Sequence, residues 1–237
     1  DPKCCGYSMN PGPLLTHKSN RDWQQAIEAD VAEWWELLRE RAMGEAHPIN
    51  PQRVFWEASQ RLPDRCLLSC DSGSATNWYA RDLKFRAGMR GSVSGGLATM
   101  GNAVPYAIAA KFAYPERVSI AFVGDGAMQM NGNAELLTIL KYWSTWQDPR
   151  LIVVVLNNRD LNQVTWEMRV QDGDPKYEAA QDLPAFSYAK YAEMIGLKGI
   201  EVTDPEQIGS AWDQAIANHC PTVLDFHTAP DIPPIPP

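Results

Sequence analysis

The chain has 237 residues, 45% of them hydrophobic and 21% charged, with 16 Gly and 18 Pro, which is enough apolar material for one sizeable core. Its formal charge is −8 and no run of basic residues breaks the acidic background, which argues against nucleic acid or an anionic membrane surface as a partner. No stretch approaches the ~20 apolar residues that span a bilayer, and the N-terminus lacks the basic-then-apolar order of a secretory leader, so a soluble, cytoplasmic protein is expected.

Residues 1–20 mix Cys, Gly, Pro and Asn without periodicity, as a linker or the end of a preceding middle domain would. One domain is expected over 21–230, followed by a Pro-rich, extended tail over 231–237. Asp22 opens a helical segment in which Trp23, Ile27, Val31, Trp34, Trp35 and Leu38 recur at helical spacing, ending near Gly44. A second helix is capped by Asn50, has Pro51 in its first turn and stops at Pro63. The tryptophans at 23, 34, 35 and 56 are expected to pack internally, with a face toward another domain as the alternative. Cys4, Cys5, Cys66, Cys70 and Cys220 are odd in number and form no CxxC pair, which suits reduced, inert thiols.

Beyond Pro63 the pattern changes to short apolar runs at 66–70, 118–124, 151–158, 199–203 and 222–227, with helical patterns near 102–114, 131–143, 185–195 and 205–218. Several runs are apolar on consecutive residues, as strands buried on both faces of a sheet are. The predicted fold class is α/β: a doubly wound, mainly parallel sheet flanked by helices on both faces.

Two predicted strand ends carry chemistry. After VSIAFV come Gly124, Asp125, Gly126 and Ala127, and after LIVVV come Leu156, Asn157, Asn158, Arg159 and Asp160. The glycines let backbone N–H groups approach an anion at the start of the next helix, while Asp125 sets a carboxylate among those same amides. A carboxylate beside a phosphate requires a cation between them. Mg²⁺ takes oxygen ligands and is commonly held by one carboxylate plus substrate phosphates, and the Asn amide oxygen at the neighbouring strand end completes the set.

The series GDGAMQMNGNAELLTILKY, then LIVVVLNN, resembles the signature of the thiamine diphosphate enzymes, and SGGLATMGNAVPYAIAAKFAYPERVSIAFVGDG resembles the upstream run of the pyruvate oxidase and acetolactate synthase branch. The resemblance covers roughly residues 48–235. It implies that Asp125, Asn158 and the main-chain carbonyl of Asp160 bind Mg²⁺, and that Gly73 and Ser74 together with Gly124, Gly126 and Ala127 hold the diphosphate. It implies that Met100 props the cofactor into a bent shape, with its own N–H and the Ala98 carbonyl on the aminopyrimidine. That bend brings the exocyclic amine to the thiazolium carbon whose proton it takes. Glu167 and Val164 match positions on the substrate side. The sequence departs from the pattern in a longer interval between GDG and NN, where YWSTWQDP predicts a larger loop, and in Ala98, Asn162 and Ser74-Ala75.

The resemblance further implies that this chain is the diphosphate-binding part of a longer enzyme that decarboxylates a 2-oxo acid such as pyruvate. The N-terminal pyrimidine-binding domain would face it from a partner subunit of a homo-oligomer, and the contacts of any flavin (FAD) would lie in a middle domain. Without the glutamate of the pyrimidine-binding domain the chain is expected to be inactive alone. The rival readings are a non-catalytic α/β interaction domain and a nicotinamide-binding Rossmann domain. The latter is disfavoured because the first strand-to-helix turn, DSGSAT, lacks GxGxxG.

Overall fold

The computed structural model describes residues 20–234. The linker expected at 1–20 falls almost wholly outside them, as do Cys4, Cys5 and the last three residues of the tail. The backbone divides into two compact units between Leu38 and Arg39, and that boundary falls inside the first helix, α1 (Asp22–Ala42). On α1 the expected internal packing is not met at Trp23, 79% exposed, or at Trp34, 37% exposed, which share the exposed side with Ile27 and Val31, whereas Trp35 is half-buried.

The unit beginning at Arg39 starts with α2 (Pro51–Arg61), whose Asn50 cap accepts the Gln52 N–H at 3.0 Å. Then follow β1 (Leu67–Cys70), α3 (Ser74–Asp82), β2 (Arg90–Val93), α4 (Ala103–Ala113) and β3 (Ser119–Gly124). A short turn, α5 (Asp125–Ala127), continues through a π-wound stretch at 128–132 into α6 (Asn133–Tyr142), and a 3₁₀ turn leads to β4 (Leu151–Asn157). The rest is α7 (Asn162–Glu167), α8 (Glu178–Gln181), α9 (Tyr188–Met194), β5 (Lys198–Val202), α10 (Ile208–Ala217) and β6 (Thr222–His227).

The six strands form one sheet in the order β2-β1-β3-β4-β6-β5, and every pairing is parallel. Side chains alternate across it. Ile120, Phe122, Ile152, Val154 and Leu224 pack beneath α2, α3 and α10, whereas Ala121, Val123, Val153, Val155 and Val223 pack under α4, α6 and α9. Both faces are therefore covered, which is why the central strands read as unbroken apolar runs. The enlarged loop before β4 is realised as the 3₁₀ turn plus residues 146–150, and it is pinned from inside. The fully buried Lys111 ammonium donates to the carbonyls of Pro115, Arg117 and Asp148 at 3.2, 2.5 and 2.6 Å.

The tail docks rather than hanging free over its described part. The Pro230 carbonyl accepts from Asn162 Nδ2 at 2.7 Å and Trp166 Nε1 at 3.0 Å, and Ile232 packs against the core. Cys66 and Cys70 are buried free thiols, and burial pushes the Cys66 pKa up to about 11, out of the reactive range.

Candidate functional site

The chain passes from β1 outward to β2 and then returns to β3 on the other side of β1, so the order of the sheet reverses between β1 and β3. Loops leaving the carboxyl ends of these two strands diverge to opposite faces and leave a crevice between them. A cleft enclosing about 470 Å³, part of it open to solvent, lies there, lined by Ser72–Ala75, Met100, Gly124–Ala127, Asn158 and 160–164.

Asp125 closes its floor and is 3% exposed. Its Oδ1 accepts the Gly126 N–H at 2.9 Å and its Oδ2 the Arg159 N–H at 2.5 Å, the latter joining the β3 end to the β4 end. Burial raises the pKa of this carboxyl to about 7 against those hydrogen bonds, and the nearby Asp160 adds to the rise. Such a carboxylate is short of positive charge, which is the deficit a cation would fill. Support comes from below, where the Tyr188 hydroxyl donates to the Asp125 carbonyl at 3.1 Å.

The β4 loop turns sharply. Arg159 has φ 57, in the left-handed region that side chains seldom occupy. Asn158, which lines the cleft, accepts the Asp160 N–H on its Oδ1 at 3.0 Å, which fixes its amide within the turn. The Asp160 carboxylate is spoken for: Oδ1 accepts the Thr165 hydroxyl at 2.9 Å and lies 3.0 Å from Lys176 Nζ, and Oδ2 accepts Asn162 Nδ2 at 3.1 Å. That leaves the main-chain carbonyl as the group this residue has to offer a cation.

The opposite wall begins at Gly73, whose φ of +116 only glycine takes without strain. A Cβ added at Gly73 or Gly124 would meet nothing within 4 Å, so both stand against the open space of the cleft. At Gly126 a Cβ would come within 2.8 Å of Leu161 and 3.3 Å of the Met100 methyl, so the backbone there passes tightly beneath both side chains. Met100 is held by its neighbours: buried Asp71 accepts the Gly101 and Ala103 N–H groups.

The structure thus brings Gly73, Ser74, Met100, Gly124, Asp125, Gly126, Ala127, Asn158, Asp160 and Val164 to one cleft. Ala98 is not brought there. It lies in the exposed segment ahead of Met100. Glu167 is also outside, one turn along α7, where it accepts from Gln163 Nε2 at 2.7 Å. Gln163 does line the cleft, and its Oε1 accepts from Asn77 Nδ2 at 2.6 Å, so α7 and α3 are clasped together at the rim. Sequence reasoning passed over Asp71, Gln163 and Lys176, which carry no local motif. Away from the cleft, His227 stands 3.0 Å from Glu201 beside Asp225, whose carboxylate is taken by Asn157 Nδ2 and the Tyr188 and Ala189 N–H groups.

Residues 71–226 match the family model described as "Thiamine pyrophosphate enzyme, C-terminal TPP binding domain". YdaP of Bacillus subtilis (strain 168), named as a thiamine pyrophosphate-containing protein, is 34% identical over 94% of this chain and 37% of its own length. The acetolactate synthase isozyme 3 large subunit of Escherichia coli (strain K12) is 32% identical over 83% of this chain and 32% of its own. The chain thus spans about a third of the length of these relatives. In fold it is similar to a thiamine diphosphate-dependent 4-hydroxybenzoylformate decarboxylase of Rhodococcus jostii RHA1, with a TM-score of 0.64 and 23% identity over 79% of this chain and 34% of that one. No helix among the described residues is long and apolar enough to cross a membrane.

Proposed function

The chain belongs to the thiamine pyrophosphate enzymes, as their C-terminal TPP binding domain, and from that premise we propose that its cleft holds thiamine diphosphate through Mg²⁺ as part of a longer enzyme that decarboxylates a 2-oxo acid. One observation carries this reading: Asp125, whose carboxyl burial raises to about 7, lines one cleft together with Asn158, Asp160 and the glycines at 73, 124 and 126. That donor set is hard and oxygen-only, as Mg²⁺ requires, and the open space against Gly73 and Gly124 is where a diphosphate would lie.

In this assignment Asp125, Asn158 and the Asp160 carbonyl hold the cation. The N–H groups of Gly126 and Ala127, with Gly73 and Ser74 opposite, hold the diphosphate. When bound, the cofactor would supply a nucleophilic thiazolium carbon for the oxo carbon and a cationic ring as the sink for the electrons left by CO₂. Met100, which sits over Gly126, would prop the cofactor, and Val164, which also lines the cleft, would stand toward the substrate. Glu167 acts through Gln163, which it positions. Proton transfer at the pyrimidine belongs to a pyrimidine-binding domain of a partner subunit in a homo-oligomer, so this chain alone turns over no substrate. Transfer to a flavin, to a second oxo acid or to a proton would distinguish an oxidase, a synthase and a decarboxylase.

The test is calorimetric titration of thiamine diphosphate into this chain with Mg²⁺ and with chelator. Binding is expected only with the cation and is expected to vanish in Asp125→Ala. Equal affinity under both conditions overturns the cation bridge, absence of binding under either supports a non-catalytic domain that kept the fold, and CO₂ release from pyruvate by the chain alone overturns its dependence on a second domain.

A further inference from the structure

After Asp160 the chain makes an excursion and comes back to where it left. It runs out through α7 and a π-wound turn, reverses at Gly173, whose φ is +73, and returns through α8. The return is sewn to the departure by an antiparallel bridge between Asp160 and Asp182, in which the Leu161 N–H donates to the Gln181 carbonyl at 2.9 Å and the Leu183 N–H to the Arg159 carbonyl at 3.0 Å. Leu161 and Leu183 both lie against Gly126. Lys176 stands at this seam. Its ammonium lies 3.0 Å from Asp160 Oδ1 and also pairs with the Asp182 carboxylate, so one cation grips both residues of the bridge.

Asp160 is 4% exposed, and Lys176 is the cation its carboxylate is paired with. A buried carboxylate that loses its partner is drawn toward the nearest remaining positive charge. In this cleft that charge would be the bound cation. We propose that Lys176 is a positioning residue of the cation site: by pinning Asp160 and Asp182 together it holds the 158–160 turn in the one shape that offers the Asn158 amide and the residue-160 carbonyl to a divalent cation. The inference rests on the reading of the cleft as a cation–diphosphate site.

The sign of the effect separates this role from the others open to a lysine. A lysine that acted through its charge alone would repel a cation, and its removal would tighten binding. A lysine that only stabilised the fold would lower the unfolding midpoint and leave the cation requirement unchanged. A positioning lysine weakens cation binding when it is removed, by about tenfold or more on the scale of outer-shell partners of metal ligands.

The experiment titrates Mg²⁺ against this chain at a fixed concentration of thiamine diphosphate for the unaltered protein, Lys176→Met and Lys176→Arg. Amide hydrogen exchange of Leu161 and Leu183 is followed without ligand. Lys176→Met is expected to need about tenfold more Mg²⁺ and to exchange faster at both amides, and Lys176→Arg, which can still grip both carboxylates, to restore most of the affinity. Should Lys176→Met fail to fold, Asp182→Asn, which leaves the Lys176–Asp160 pair, is expected to raise the requirement by a smaller factor. An unchanged or lowered Mg²⁺ requirement in the variant that folds overturns the proposal. No cation-dependent binding in the unaltered chain overturns the parent reading instead, and the exchange rates at Leu161 and Leu183 still report whether Lys176 closes the seam.

Discussion

Asp71 grips the backbone at Gly101: its Oδ1 accepts the Gly101 N–H at 2.7 Å, while Oδ2 accepts the Ala103 N–H at 3.1 Å. The carbonyl of the same residue accepts the Thr76 hydroxyl at 2.5 Å in the first turn of α3. One fully buried residue therefore ties the Gly73–Ser74 loop to the segment that carries Met100, the two walls of the cleft on either side of β1.

Replacing Asp71 by Asn keeps one acceptor and turns the other into a donor facing an N–H. The unpaired amide is expected to cost about 1–3 kcal/mol of stability. Because Met100 loses its anchor, affinity for thiamine diphosphate is expected to fall more than the stability loss alone would cause, while Asp125 and Asn158 stay in place. Urea unfolding and calorimetry on the same variant check this. Unaltered affinity in a destabilised protein would show that the Asp71 grip is structural only.

Asp82 gives a pH dependence with a definite sign. It is buried, accepts from Gln52 Nε2 at 3.0 Å and pairs with Arg81, yet burial raises its carboxyl to about 6. With the folded pKa above the unfolded one, the native state holds a proton that the unfolded chain releases between about pH 4 and 6. The contribution of this group is most favourable below that window and is lost as pH rises through about 6. Relative to Asp82→Asn, the unaltered protein is expected to lose stability between pH 5 and pH 8, and denaturant titrations at the two values measure it. A gap between the two proteins that stays constant across that range would contradict the assignment.

Lys111→Met keeps the length of the side chain and removes its donors. The carbonyls of Arg117 and Asp148 then lose the ammonium they accept from, while that of Pro115 keeps the Asp148 N–H at 2.9 Å. A loss of at least about 2 kcal/mol is expected, because each is a desolvated acceptor. The loop before β4 is the element released, so its amides are expected to exchange first. Unfolding within experimental error of the parent would mean that water replaces the ammonium.

The parts of the molecule readable from sequence were those whose pattern is local. β3 and β4 are apolar on consecutive residues because helices cover both of their faces, and Asp125 and Asn158 stand out because they end those runs. β2 left no such trace. All four residues from Arg90 to Val93 are exposed at the edge of the sheet, so no face demands apolar side chains. The 3₁₀ turn before α10 lies within the helical pattern at 205–218, since a change of winding leaves the hydrophobic period almost intact, and the π-wound stretch before α6 falls mostly ahead of the pattern at 131–143.

Asp71, Gln163 and Lys176 were silent for another reason. Each acts on a residue far along the chain: Asp71 on Gly101, Gln163 on Asn77 and Lys176 on Asp160. No window of sequence contains both members of such a pair. Ala98 shows the opposite case, a position chosen by resemblance that the fold leaves on an exposed loop.

An all-parallel sheet has a consequence for how the chain reaches this state. No two neighbouring strands are joined by a tight turn: Leu67 must find Ser119, Ser119 must find Leu151, and Ile152 must find Thr222, each across a long intervening segment. The entropy of closing those segments is spent before any contact repays it, which puts such topologies among the slow folders. The three loops that make the cleft hang from the ends of β1, β3 and β4, so they converge only once the middle of the sheet is assembled. Competence to take up a ligand therefore comes no earlier than the pairing of β1, β3 and β4, and a chain short of that stage carries the whole signature in its sequence without the assembled site.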